Sequence, residues 1–133
     1  MSSVFSPSLP TDGHHSCYWQ GLNGSAESLA LIQAAIRTKG PILLVCDSNE
    51  SVERYLREIS YLSSDLEAHK VSALPDWETL PYDIFSPHQD ITSDRLATLF
   101  GLPRMKRGIV VTSVSSLMHL LPPRQYIDAN SLD

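Results

Sequence analysis

Pro41-Ile42-Leu43-Leu44-Val45-Cys46-Asp47 decides the fold class. Five consecutive apolar residues between a proline and an aspartate are too few for a buried helix. They do not alternate with polar residues either, so they read as a strand buried on both faces of a parallel sheet. A second such core, Ile109-Val110-Val111, follows Gly108 and leads into Thr112. Between and around these strands the apolar period changes. Residues 25–38 carry Leu29, Ile32, Ala35 and Ile36 at helical spacing, and Lys39-Gly40-Pro41 ends that helix. Ser48 or Asn49 can cap a second helix running to about Leu62, with Val52, Tyr55, Leu56, Ile59 and Leu62 on one face.

Weaker signals complete the alternation. Residues 17–20 read as a short first strand and residues 69–74 as another. Asp90 or Thr92 opens a third helix that Gly101 and Pro103 stop near Leu102, and Ser113 caps a last one ending near Leu121. No terminal element is expected after Pro122-Pro123. Strands alternating with helices imply βαβ units with right-handed crossovers. The expected fold is α/β: a small, open, doubly wound parallel sheet of four strands with flanking helices. Residues 1–15 are expected to form a flexible tail rich in Ser and Pro, and residues 16–133 one α/β subdomain.

Composition narrows the function. The chain has 133 residues, 42% hydrophobic and 19% charged, with a net charge of −5. That size allows one domain with a modest core. The acidic balance disfavours nucleic-acid binding by the chain as a whole, since phosphate neutralisation needs clustered cations. Arg104, Lys106 and Arg107 are the nearest approach to a basic patch, and they read as a solvated turn. No apolar run is long enough to cross a bilayer, and residues 1–12 lack a secretory leader pattern. Cys17 and Cys46 demand no disulfide, which fits a cytoplasmic protein. The five histidines, His14, His15, His69, His88 and His119, show no zinc-ligand spacing, so no metal is expected.

One turn invites a functional reading. Gly21-Leu22-Asn23-Gly24-Ser25-Ala26-Glu27-Ser28 follows the first expected strand, where doubly wound folds bind nucleotides. Set on the phosphate-loop pattern G-x-x-x-x-G-K-[ST], it keeps Gly21 and the hydroxyl of Ser28. It has Ala26 for the second glycine and Glu27 for the lysine. The lysine neutralises β- and γ-phosphates and the hydroxyl holds magnesium. A carboxylate there faces a triphosphate of about −4; one like-charge contact at about 4 Å costs about 4 kcal/mol at an effective dielectric near 20. Lys39 cannot substitute, being about three turns and roughly 18 Å along the helix. Either the loop is a disabled phosphate site or it is a Gly-x-x-Gly turn that never was one. Both readings predict no cofactor and no catalysis in this chain.

The densest cluster lies at residues 74–90, with Trp77, Tyr82 and Phe85 among three prolines. It reads as a rigid loop that plugs rings into a groove or as an interaction surface. Asp76, Glu78, Asp83 and Asp90 have no nucleophile or base placed to make them catalytic.

The string D-W-E-T-L-P-Y-D-x-F-S-P-H-Q-D at residues 76–90 resembles the N-terminal region of the bacterial transcription-repair coupling factor family (Mfd). The R-L-x-T-L-x-x-L-P at 95–103 and R-G-I-V-V-x-x-V-x-x-L-M at 107–118 continue it, with a weaker match over 34–60. The chain is more distantly similar to the first domain of the excision-repair protein UvrB, through V-V-T-S-V-S-S-L at 110–117. UvrB has an intact phosphate loop and a DNA-clamping hairpin. Here Glu27 replaces the lysine, and helix signals start directly after Asp90. The resemblance implies a UvrB-like scaffold, a piece of a longer multidomain chain, whose parent uses ATP and magnesium in a distant motor to translocate on DNA. The parent would remove stalled RNA polymerase and recruit UvrA. This chain would be a non-catalytic subdomain of the UvrA-recruiting module, contacting other domains of its parent. Two other readings stay open: the ATP-binding half of a helicase-type motor, and a stand-alone acidic protein-binding module.

Overall fold

The computed structural model describes residues 3–10, 16–63, 70–76 and 89–130. Three parallel strands form the sheet: β1 (Pro41–Cys46), β2 (Val71–Leu74) and β3 (Gly108–Ser113). Their order is β1-β3-β2, so the last strand in sequence is central. The register pairs Ile42 with Ile109 and Val71 with Ile109, which places the outer strands symmetrically about β3.

Helices α1 (Ala26–Arg37) and α2 (Asn49–Leu62) cover one face. Leu31, Ile32 and Ala35 of α1 meet Val52 and Ile59 of α2 there, over Cys46, Ile109 and Val111. Ser48 caps α2 by accepting from the Ser51 N–H at 3.2 Å. Helix α3 (Gln89–Gly101) continues into a 3-10 turn (Leu102–Arg104). With Ile127 of α5 (Arg124–Asn130), Leu99 of α3 covers the other face over Leu74 and Val110. Helix α4 (Val114–Met118) is a short link, capped by Ser113 accepting from the Ser116 N–H. The doubly wound α/β expectation therefore holds, with helices on both faces.

Four details differ from the expectation. Residues 17–20 are not a strand, so three strands are present among the described residues. Instead of pairing with a neighbour, the segment inserts Trp19 into the core, and its indole N–H donates to the Ser8 carbonyl at 2.8 Å. β1 is not buried on both faces. It is an edge strand, and Leu43 and Val45 are 54% and 43% exposed because α3 and α5 lie over β2 and β3. An unbroken apolar run cannot distinguish an edge from a centre. The helix after Ser113 stops at Met118 rather than near Leu121, and the unexpected α5 follows the Pro122-Pro123 break. Most of the aromatic segment, residues 77–88, lies outside the described residues, as do His14, His15, His69 and His88. No helix among the described residues is long and apolar enough to cross a membrane.

Candidate functional site

Helix α1 runs antiparallel to β1, because only a short turn separates Arg37 from Pro41. Its first residues therefore sit at the C-terminal end of the strand, the end at which α/β sheets hold ligands. Helix α2 begins at that same end, directly after β1. The loop at Gly21–Ser28 and the first turns of α2 thus face each other.

Gly21 and Gly24 adopt left-handed backbone, with φ of 74° and 57°. The chain curls, but its amides point inward. The Ala26 N–H donates to the Asn23 carbonyl at 3.3 Å and the Glu27 N–H to the Gly24 carbonyl at 3.4 Å. A phosphate nest needs such amides aimed at the ligand. No strand leads into the loop. Glu27 accepts from the Tyr55 hydroxyl at 2.5 Å and from Arg54 Nη2 at 3.1 Å. The hydroxyl bond, and then the guanidinium, hold its carboxyl below the usual carboxylate range. Burial, and then the Glu27 carboxylate, push the Tyr55 hydroxyl up, which keeps it a donor.

Ser28 completes the closure. It is 0% exposed and donates to Glu58 Oε2 at 2.5 Å. Arg54 Nη1 lies 3.5 Å from Glu58 Oε1. Five side chains thereby link α1 to α2: Glu27 and Ser28 from one helix, Arg54, Tyr55 and Glu58 from the other. The structure thus brings Gly21, Ala26, Glu27 and Ser28 together, at the ligand end of the sheet, but the Glu27 carboxylate, the Ser28 hydroxyl and the Ala26 and Glu27 amides all meet protein. A hollow of about 250 Å³ beside the loop is lined by Trp19, Glu27, Leu31, Leu44 and Tyr55 among others. That lining offers no cation for a phosphate.

A second polar cluster occupies the ends of β2 and β3. The Thr112 hydroxyl donates to the Leu74 carbonyl at 3.0 Å. Arg95, 1% exposed, donates to the Ser116 hydroxyl at 2.6 Å and to the Pro75 carbonyl. Burial lowers its pKa, and the Asp76 carboxylate partly offsets this. Asp76 accepts from the Ser115 hydroxyl at 2.5 Å, with His119 Nε2 at 3.3 Å. This cluster fixes the backbone where the aromatic segment departs. Among the described residues no group of three or more side chains is arranged to hold a metal ion.

The sequence reading missed the partners Arg54 and Glu58. Their i,i+4 spacing on α2 was a readable signal, but its convergence on Ser28 needs the packed helices. It also missed Arg95 as a buried hub.

No family model matches the chain. Individual proteins do. The chain is 40% identical over 111 residues, 84% of its own length, to the transcription-repair-coupling factor of Escherichia coli (strain K12). It is 37% identical over 131 residues, 98% of its length, to that of Haemophilus influenzae. With that of Mycobacterium tuberculosis (strain CDC 1551 / Oshkosh) it shares 31% over 106 residues, 74% of its length. The chain spans only 9%, 11% and 8% of these relatives.

Proposed function

The chain belongs to the transcription-repair-coupling factor family, and from that membership we propose that it is a non-catalytic scaffold subdomain of such a factor's UvrA-recruiting module. The observation that carries the reading is the closure of the loop. Glu27 is held by Arg54 and Tyr55, and Ser28 gives its proton to Glu58. A bound triphosphate would have to displace an anion already paired, and magnesium would find no free hydroxyl at position 28. The module stiffens the α1–α2 face and presents the anchored start of the 76–90 segment to neighbouring domains. ATP-driven translocation on DNA, release of stalled RNA polymerase and UvrA capture belong to the parent protein through other regions.

Calorimetric titration with Mg-ATP tests the reading. A scaffold gives no binding heat above dilution. Micromolar affinity, lost on Ser28→Ala, would instead support an ATP-binding half of a motor.

A further inference from the structure

All three strands are parallel, so the residues leading into them gather at one end of the sheet, opposite the closed loop. Those residues are basic. Lys39 precedes β1, Lys70 immediately precedes β2, and Arg104, Lys106 and Arg107 precede β3. They are half of the ten basic residues in a chain of net charge −5. Two adjoining concavities, about 420 and 810 Å³, share Arg104 and Arg107; Lys70 lines the first, Lys39 and Lys106 the second. All five side chains are exposed. Among the described residues none lies within ion-pairing distance of a carboxylate.

Gly108 makes this convergence possible. Its φ is +139°, and a Cβ there would lie 2.4 Å from the Lys70 carbonyl oxygen. The absent side chain lets Lys70 approach β3, where its carbonyl accepts from the Ile109 N–H at 3.0 Å. Lys70 is thereby set beside Arg107. Complementing helix ends explains only part of the cluster. Lys39 follows α1 and Arg104 follows α3, where cations favour the helix dipole. Arg107, immediately before β3, is not explained in this way.

We propose that this end of the sheet binds the phosphodiester backbone of duplex nucleic acid. Charge supplies nearly all of such binding, and both concavities are open and rich in cations. A peptide partner would need apolar pockets for anchoring side chains. Among the described residues, no exposed large apolar side chain lines either concavity. Arg104 stacks 3.9 Å above the Phe100 ring, which holds its guanidinium ready for bidentate phosphate contact. The surface is distinct from the closed loop, so it stands or falls independently of the scaffold reading.

Fluorescence anisotropy with a labelled random-sequence duplex of about 20 base pairs tests this. If about four phosphates are neutralised, affinity should fall roughly 100-fold between about 50 mM and about 200 mM salt. Lys70→Glu with Arg107→Glu should weaken low-salt binding at least about tenfold and flatten the salt slope by about two. Lys39→Glu with Lys106→Glu should do the same and covers the case in which the first pair fails to fold, which circular dichroism reports. Arg57→Glu, on exposed α2, should change affinity little. No binding at about 50 mM salt, or binding that survives both reversals, overturns the proposal. Tighter binding to polyglutamate than to DNA also overturns it, in favour of an acidic protein partner.

Discussion

The Tyr55 hydroxyl donates to the Glu27 carboxylate at 2.5 Å, across the interface between α1 and α2. Glu27 is the residue that stands where the phosphate-loop sequence pattern has its lysine. Removing the Tyr55 bond tests how firmly the loop is closed. Tyr55→Phe should cost about 1 kcal/mol in urea unfolding, the net worth of a hydrogen bond to a charged acceptor that solvent partly screens. Glu27 and Arg54 are each 37% exposed, so their coupling in a double-mutant cycle should stay below about 1 kcal/mol. A coupling of several kcal/mol would contradict that exposure.

Acid should weaken the same contact. The carboxyl of Glu27 sits below its ordinary range in the folded state. Its stabilising contribution is therefore complete above the unfolded value of about 4.3 and is lost as pH falls through the folded value. Glu27→Gln should be less stable than the parent chain at neutral pH by about 1 kcal/mol, and the gap should close in acid, below the ordinary carboxylate range. Paired urea unfolding curves at neutral and acid pH check this; a constant gap contradicts it.

Arg95 should be the costliest polar residue to lose. Its guanidinium is buried and bonds the Pro75 carbonyl and the Ser116 hydroxyl. Arg95→Ala should destabilise by about 3 kcal/mol, since the Ser116 hydroxyl and the Pro75 carbonyl lose the guanidinium and a cavity opens. Arg95→Lys should restore little, because one ammonium cannot reproduce the planar fork. Thermal unfolding followed by circular dichroism measures both.

Gly108→Ala should be nearly as damaging. The new Cβ would strike the Lys70 carbonyl, and the backbone conformation there is one that side chains rarely adopt. A loss of about 2 kcal/mol or more is expected by the same thermal measurement, whereas Gly40→Ala meets nothing within 4 Å and should cost little.

Much of this architecture was legible in the sequence. The runs at 42–46 and 109–111, with the helical spacing at 29–36 and 52–62, define the α/β layers because burial writes its period into the residues. The edge position of β1 was not legible, since its run looks the same whether one or two faces are covered. Residues 17–20 have strand composition, yet Trp19 is used as a core plug tied to Ser8. Tertiary packing outweighed propensity there. Helix α5 was missed because Pro122-Pro123 reads as an ending, although prolines also precede helices readily. At the candidate site, Glu27 was visible as the residue standing where the phosphate-loop pattern has a lysine. Its partners Arg54 and Tyr55, and the partner Glu58 of Ser28, were not, because they lie 27 to 30 positions away. The basic end was hidden for the same reason: Lys39 and Lys70 join the 104–107 turn only once three parallel strands start side by side.

The central claim, that the glycine loop is closed by its own protein, is tested most directly at its amides. Two-dimensional ¹H–¹⁵N spectra of the chain, with Ala26, Glu27 and Ser28 assigned, should be followed during titration with Mg-ATP. Those three resonances should stay in place, including in the Ala26→Gly, Glu27→Lys double variant, because Ser28 remains committed to Glu58. Saturable shifts at the three amides of the unmodified chain would contradict the account and make the loop a working phosphate site.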